Sequence, residues 1–318
     1  MKHSLVLLFI AAMFSVGAFA QSDKVGRIVI GDPPGSGIDP FARVLAEKLK
    51  DAGGRIFIVE NRPGASSTIA AEAVARGAPD GSMLLIAPIG PLVLEPLFAA
   101  KLTYDAFADF TPLSQLTASY VAVALGNKVP AASLAEYLAL AKKDTKAGFY
   151  STAGTNGLPY ILSVLLVRAA DVKLTNVPYK SGQQAATAVA TGEVQMGVLP
   201  MAESMPYHRR AQLRIVATSG DRRAGLLPDA PTLRELGFKD LRAETWFGFL
   251  APAKMNATLA DVLSKAASDI VQEAASKEML AALGLEAVGS SAKEFAATMR
   301  RDRDYWGPII KASGIRRE

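Results

Sequence analysis

Short apolar runs that alternate with longer helical patterns constrain the fold of this chain more than any other feature. Arg27 to Ile30, Ile56 to Val59 and Met83 to Ala87 each resemble a strand that is followed by turn residues and then by a helical segment. Strand and helix units of this kind build a mostly parallel sheet covered by helices. A second block with the same alternation runs from Val121 to Thr218. The pattern therefore predicts an α/β fold.

The order of the two blocks predicts two lobes, and 318 residues are more than one core usually serves. Strands of the second block are expected near Val121 to Leu125, Phe149 to Thr152, Val194 to Leu199 and Arg214 to Ala217. The tail, helical over 258–283 and 292–306, has no sheet of its own and must pack on an existing one. We therefore expect residues 21–121 and 225–318 to form the first lobe and 122–224 the second.

Local signals mark several helix starts. Asp39 is expected at an N-cap, with Pro40 at the first helical position. A hydroxyl residue followed three places later by glutamate, the signature of a capping box, recurs at Ser133 to Glu136, Thr232 to Glu235 and Ser291 to Glu294. Each of the three predicts the beginning of a helix.

The first twenty residues have the organisation of a cleaved export signal. Lys2 supplies the positive charge, residues 5–14 the apolar core and residues 18–20 a small-x-small cleavage pattern before Gln21. The apolar stretch is shorter than the roughly 20 residues that span a bilayer, which disfavours an uncleaved anchor. We expect a soluble periplasmic protein.

Composition excludes several classes of function. The chain has no cysteine, and His208 is the single histidine left after signal cleavage, so thiolate chemistry, a metal centre and a histidine-based triad have little support. The formal charge of +5 is dispersed, whereas nucleic-acid binding favours a concentrated basic stripe. We expect no enzymatic activity, no cofactor, no metal and no nucleic-acid partner. A weak positive field would attract an anionic solute.

Two loops that precede helices carry the strongest site signals. Asp32 to Pro40 contains Gly35, Ser36 and Gly37, and Ser151 to Gly157 stands in the same relation to a helix of the second block. Glycines let a ligand approach the backbone, and a helix start favours an anion. Ligands of open α/β sheets bind beyond the carboxyl ends of the strands. If the lobes face each other, both loops meet at one cleft, although each can also be a plain turn.

Three further segments are weaker candidates for the cleft. Val177 to Gly182, which includes Tyr179, precedes another helix, and Asn61 to Thr68 joins a strand to a helix. Trp246 opens an apolar run whose commoner explanation is a buried strand. A plain structural role remains open for each of the three.

At these residues the chain resembles the substrate-binding receptors of tripartite tricarboxylate transporters, also called Bug-type receptors. The resemblance spans nearly the whole mature chain. It rests on the order and spacing of these motifs: 34–39 (PGSGID), 59–65 (VENRPGA), 78–81 (APDG), 104–105 (YD), 109–110 (DF), 177–180 (VPYK), 228–232 (PDAPT), 246–248 (WFG) and 283–284 (LG).

The resemblance implies a type II-like periplasmic binding protein, with two α/β lobes that are joined by crossing hinge strands and close on a carboxylate-bearing solute. Carried over to this chain, the family contacts fall on Gly35, Ser36, Gly37, Thr152, Thr155 and Asn156. Asp39, Tyr179 and Trp246 complete the expected ligand site. The expected partners are a small organic acid and the membrane subunits of a permease, with the receptor itself a monomer.

Some positions depart from the family pattern. Ser36 stands where glycine is usual, Ile38 where threonine is usual, Tyr160 where histidine is common and Leu199 where aspartate is common. Because an acid at the last position could serve an amino group, its loss makes an amino-acid ligand less expected.

Two other functions stay open at this stage. A receptor of the same shape could present its liganded form to a signalling partner without feeding a transporter. A secreted hydrolase would instead depend on His208. The sequence does not separate transport from sensing, and it does not identify the solute.

Overall fold

The computed structural model describes residues 25–35, 37–98, 102–143, 148–155 and 157–313. The predicted export signal lies outside these residues, as do Ser36 and Asn156. The strands are β1 (Val25–Ile30), β2 (Ile56–Asn61), β3 (Met83–Pro88), β4 (Phe110–Gly126), β5 (Phe149–Ala153), β6 (Thr175–Tyr179), β7 (Met196–Pro200), β8 (Leu213–Thr218), β9 (Glu244–Pro252) and β10 (Glu286–Ala287).

The α-helices among the described residues are α1 (Asp39–Gly53), α2 (Thr68–Ala75), α3 (Glu95–Phe98), α4 (Leu134–Lys143), α5 (Leu158–Ala169), α6 (Gly182–Thr191), α7 (Met201–Arg209), α8 (Ala257–Gln272), α9 (Ala274–Ala282) and α10 (Ala292–Ser313). A turn of 3-10 helix, Ala65–Ser67, precedes α2, and a turn of π-helix, Gly90–Leu94, precedes α3. The predicted alternation of strand and helix is confirmed, with most strand limits shifted by a residue or two.

The strands join in the order β2-β1-β3-β9-β4-β7-β5-β6, with β8 and β10 also pairing with β4. Strands β1, β2 and β3 are parallel, as are β5, β6 and β7. The 17-residue strand β4 pairs with β9 along its first part and with β7 and β8 along its last part. One long strand therefore runs from the first α/β block into the second, and the fold is the predicted two-lobed α/β architecture.

Helices cover both faces of the first block. Phe41, Leu45 and Leu49 of α1 pack in one cluster with Leu263 and Ile270 of α8. On the other face α2 and α10 pack in a second cluster that extends into the second block. The C-terminal helices thus pack on a sheet built earlier in the chain, as predicted, and the tail also adds the short strand β10 to β4.

Two helix-start predictions need correction. Asp39 is the first residue of α1 and Ile38 is its N-cap, without a side-chain cap, because the Asp39 carboxylate turns to other partners. Thr232 and Glu235 form both capping-box hydrogen bonds, 2.7 and 3.1 Å, but no helix follows. Gly237, at φ 97°, ends the turn, and the Phe238 amide donates back to the Leu233 carbonyl at 3.0 Å.

The capping boxes at Ser133 and Ser291 precede α4 and α10 as predicted, since the amides of Glu136 and Glu294 donate to their hydroxyls. The helix expected over 258–283 is interrupted at Glu273, whose ψ of 145° is extended, so it forms α8 and α9.

The two crossings between the blocks are joined through Ser219, which is fully buried. Its hydroxyl accepts a hydrogen bond from the Val121 amide at 2.9 Å and donates to the Ala243 carbonyl. Its backbone amide donates to the Val121 carbonyl, and the Ala243 amide donates to the Ser219 carbonyl. Ser219 therefore ties the outgoing strand β4 to the returning chain. The exact lobe boundaries at 121 and 225 remain predictions.

Candidate functional site

Strand directions bring the expected binding loops to facing edges of the sheet. Strand β4 runs in the direction of β1, β2 and β3, whereas β5, β6 and β7 run against it. Phe247 of β9 pairs with both Pro88, the last residue of β3, and Thr117 of β4, so β3 ends level with Thr117. Pro200, the last residue of β7, pairs with Val121 of β4. At about 3.3 Å per residue these levels are roughly 13 Å apart along β4. The carboxyl ends of both parallel sets therefore face one gap.

Asp39 anchors the loop between β1 and α1. Its carboxylate is 2% exposed and accepts hydrogen bonds from the Gly35 amide (2.8 Å), the Asn61 side chain (2.8 Å) and Arg43 (2.9 and 3.0 Å). Burial acts to raise the pKa of Asp39, but these hydrogen bonds outweigh it and hold the pKa below its ordinary value. Asp39 is thus a charged group that fixes the position of Gly35 and of the loop.

A second carboxyl group in this loop, Asp32, was not predicted as a site residue. Burial, and to a smaller extent the charge of Asp39, raises the pKa of Asp32 to about 6. Its Oδ2 atom is buried without a hydrogen-bond partner among the described residues. Gly37, at φ 55°, leaves the room that this side chain needs, because an added Cβ there would lie 2.0 Å from Oδ1.

The loop after β2 is backbone-strained and lies beside the first loop. Ala65, Ser66 and Ser67 all have left-handed φ angles, 45°, 53° and 68°, which non-glycine residues rarely adopt. Ser67 fills the space next to Gly31, where an added Cβ would lie 2.2 Å from the serine hydroxyl. Strain of this kind clusters at ligand-binding sites. The 61–68 loop therefore stays a candidate for the site.

The matching loop of the second block begins at Thr152. This side chain is fully buried, donates to the Gly154 carbonyl at 2.8 Å and accepts from the Asn176 amide at 2.9 Å. The Gly154 amide in turn donates to the Tyr179 carbonyl at 2.9 Å. Thr152 thus shapes the loop, while Thr155 is exposed beyond it, just before α5.

Tyr179 contributes to this loop through its backbone. Its phenol donates to the Glu193 carboxylate at 2.7 Å, beyond the far end of α6. Burial, followed by the hydrogen bond to Glu193, raises the pKa of the phenol to about 12. The hydroxyl therefore stays protonated and is occupied by a partner of the second block.

Glu203 is a second acid that sequence reasoning missed. It lies in the first turn of α7, and burial raises the pKa of its carboxyl. Its Oε2 is buried without a hydrogen-bond partner among the described residues and packs on Gly182, the first residue of α6, where an added Cβ would lie 1.5 Å away. In the part of the chain that the structure describes, each block thus has a carboxyl with one oxygen lacking a hydrogen-bond partner, packed against a glycine near a helix start.

Trp246 lies in the core, apart from the residues above. It is 1% exposed, its indole donates to the Asp302 carboxylate at 2.8 Å, and its ring packs edge-on against Phe295. Trp246 thus has the environment of a buried strand residue, and the site proposed below does not include it.

The geometry unites Gly35, Gly37 and Asp39 on one edge and Thr152, Thr155 and the Tyr179 backbone on the facing edge. Helix starts supply amide donors for an anion, and the Asp32 and Glu203 carboxyls are buried beside these loops. Among the residues that the structure describes, no cluster of three His, Cys, Asp or Glu could hold a metal ion.

Residues 41–315 match the profile of the tripartite tricarboxylate transporter family receptor. The chain belongs to this family. Solved structures with this fold include a periplasmic transporter and the periplasmic binding protein BugD.

Individual relatives cover most of the chain. A UPF0065 protein of Bordetella bronchiseptica is 31% identical over 290 residues, which are 91% of this chain and 86% of the relative. A solved periplasmic transporter superposes with a TM-score of 0.79 at 27% identity and covers 93% of this chain and 99% of its own. MatC of Rhodopseudomonas palustris, solved with bound malate, shares the fold with a TM-score of 0.74 at 24% identity over 90% of this chain and 98% of its own.

Within the described ranges, no helix combines the length and the apolar character needed to cross a membrane.

Proposed function

We propose that this receptor captures a small carboxylate-bearing solute between its lobes and delivers it to a tripartite tricarboxylate-type permease. The observation that carries the proposal is the opposition of two loop-to-helix junctions across about four residues of β4. The site residues are Gly35, Gly37, Asp39, Thr152 and Thr155, with Ser36 and Asn156 expected beside them.

The two unpartnered acids refine the kind of solute. Within the described ranges, Asp32 and Glu203 each have a buried carboxyl oxygen without a donor, and a buried acceptor without a partner costs free energy. A solute that carries a hydroxyl or ammonium group beside its carboxylate would satisfy one of them. We therefore favour hydroxy acids over plain alkanoates, and we rank amino acids below hydroxy acids because Leu199 stands where the family commonly has aspartate. The family membership of the chain and the malate bound to MatC support a carboxylate ligand.

Closure and export belong to the same proposal. A solute held by both edges favours the shut arrangement, because only that arrangement offers both sets of contacts. Residues 1–20 are proposed to direct the chain to the periplasm and to be removed there. Binding is proposed to proceed without turnover of the solute, so a His208→Ala variant should bind as the parent does.

A thermal-shift screen tests the proposal. Dicarboxylates, hydroxy acids, aromatic acids and amino acids are compared, and a ligand at about 100 times its Kd adds roughly 2.7 kcal/mol of stability. Thr155→Trp, at an exposed position, should abolish the shift without unfolding the protein. The matched control is Thr258→Trp. Thr258 is also exposed, but it follows the carboxyl end of β9, which lies away from the cleft. The proposed site is contradicted if no class gives a shift, or if every class that gives one shifts both variants equally.

Delivery to a permease needs a cellular test. Deletion of the receptor should abolish uptake of the identified solute and leave the permease subunits in place. Unchanged uptake with lost gene induction would favour a sensing role instead.

A further inference from the structure

A cavity of about 430 Å³ lies in the second block beside β8, away from the loops of the proposed cleft. It is lined by the segment before α4, the end of α7, the first half of β8, Leu227 and residues 229–231. None of the cleft residues named above lines it. Its volume falls within the range of small-molecule sites.

Arg214 gives one wall of this cavity a positive charge that forms no ion pair with any described residue. Its two terminal nitrogens donate to four neutral oxygens, the carbonyls of Asn127, Val129 and Ala131 and the Asn127 side chain, at 2.8 to 3.5 Å. Its remaining N–H, on Nε, is buried without a hydrogen-bond partner in the described part of the chain. No ion pair of Arg214 occurs there either. A charge that is solvated only by carbonyls creates a positive potential at the cavity wall.

His208 adds a directed donor to the same cavity. Its Nδ1 accepts a hydrogen bond from the Ile215 amide at 3.3 Å. The neutral ring must therefore carry its proton on Nε2, which is then a donor. Ser133 also lines the cavity, and because its hydroxyl oxygen accepts from the Glu136 amide, its O–H can donate elsewhere.

The rest of the lining is apolar, with one exposed acid. The apolar part comprises Ile215, Val216, Leu227, Ala230 and Pro231. Asp229 is exposed and lines the same cavity. Its carboxylate would repel a second negative charge on a ligand. The lining as a whole suits one acid group joined to an apolar body.

We propose that this cavity is a second ligand site, which takes a small monocarboxylate with an apolar body and holds its acid group in the field of Arg214 and the donor of His208. A dicarboxylate is expected to bind weakly here, since its second acid group would meet Asp229. The proposal does not depend on the identity of the transported solute.

Fluorine NMR with para-fluorobenzoate as the probe tests this site on the full mature protein. We expect line broadening that is saturable and is reversed by hexanoate but not by adipate. Arg214→Met should weaken binding at least tenfold and His208→Ala about threefold to tenfold. Asp229→Asn should strengthen benzoate binding and allow adipate to compete, because the repelling charge is gone.

Two features keep the test decisive. Arg214→Met also removes the partners of the 127–131 loop, so if that variant does not fold, the His208 and Asp229 variants decide. Thr155→Trp serves as the cleft control and should leave probe binding unchanged. The proposal fails if the wild type does not bind the probe, if Thr155→Trp alone removes binding, or if His208→Ala and Asp229→Asn both bind as the wild type does.

Discussion

Asp32 and Asp39 lie close together between β1 and the start of α1, and their surroundings shift their pKa values in opposite directions. Asp39 is more deeply enclosed by donors, since an arginine, an asparagine and a backbone amide all bond to its carboxylate. Asp32 is partly buried near the charge of Asp39, and its Oδ2 has no hydrogen-bond partner among the residues described. Hydrogen bonds to the charged form therefore keep Asp39 ionised at acidic pH values at which Asp32 takes up a proton.

Asp32→Asn should change the pH dependence of stability. The pKa of Asp32 is about 6 in the folded protein, above its ordinary value of 3.8, so its neutral form stabilises the fold below about pH 4. That stability is lost as the pH rises through 6, by up to about 3 kcal/mol. Asparagine mimics the neutral acid at every pH. Thermal unfolding should show the variant gaining on the wild type between pH 4 and pH 8, by several degrees.

A constant difference between the Asp32→Asn variant and the wild type over that pH range would contradict the raised pKa. Asp39→Asn provides the comparison of opposite sign. The pKa of Asp39 is lowered, so its contribution to stability is present at neutral pH and is lost on acidification.

Trp246→Phe should separate stability from binding. The variant keeps most of the buried ring but removes the donor to Asp302, a carboxylate that is 4% exposed. Loss of a hydrogen bond to a buried charged group costs about 1–3 kcal/mol. We expect lower stability in denaturant unfolding and unchanged solute affinity by calorimetry. A loss of affinity at unchanged stability would return Trp246 to the ligand site.

At the level of single residues, the sequence was informative where local chemistry decides the outcome. Glycines beside a helix start predicted the loops that carry Gly35 and Gly154, both at left-handed φ. Glu203 gave no such signal, because its position against Gly182 depends on how α7 packs beside α6. For Trp246 the sequence allowed both core and site, and only the contact with Asp302 separates them.

At the scale of elements, helix starts were predictable when the following residues supported them. Ser291 and Glu294 introduce α10, whereas the equivalent pair at Thr232 closes a single turn, because Gly237 and Phe238 end it. The break at Glu273 lacks proline or glycine. The Lys48 ammonium of α1 donates a hydrogen bond to the Glu273 carboxylate at 2.6 Å. A local sequence pattern does not reveal a contact between residues so far apart in the chain.

Gly284→Ala should disturb the contact between the tail and α7. Gly284 has φ 73°, and an added Cβ would lie 2.4 Å from the Cα of Ala202, where the obstacle is backbone and cannot rotate away. Left-handed strain of about 1–2 kcal/mol adds to overpacking of about 1–3 kcal/mol. We expect a loss of stability and weaker solute binding, measured by unfolding and calorimetry.

Gly54→Ala is the matched control for Gly284. Gly54 has a similar φ of 60°, and nothing lies within 4 Å of an added Cβ. The Gly54→Ala variant should lose only the stability that left-handed strain costs, and its affinity for the solute should be unchanged. Equal effects of the two substitutions would show that the contact with Ala202 contributes nothing.

At the scale of the whole molecule, β4 links both lobes as one continuous strand, and the sequence predicted only the part from Val121 to Leu125. Its earlier part contains the polar residues Thr117 and Ser119, which do not form an apolar run that would indicate a strand. Both are nevertheless buried where β4 pairs with β9 and β10. The crossing itself was expected, but its fastening through Ser219 was not, because Val121 and Ala243 are distant in sequence.

Lobe closure is the last expectation and belongs to the molecule as a whole. Along β4, about four residues separate the levels of the two facing edges. A change in the twist of this short stretch of strand would change the width of the gap. A solute that bonds both edges favours the narrow gap. Small-angle scattering should therefore show a smaller radius of gyration with saturating solute, in the wild type and in Thr258→Trp but not in Thr155→Trp. Bound solute with an unchanged radius of gyration would refute closure while leaving the binding site intact.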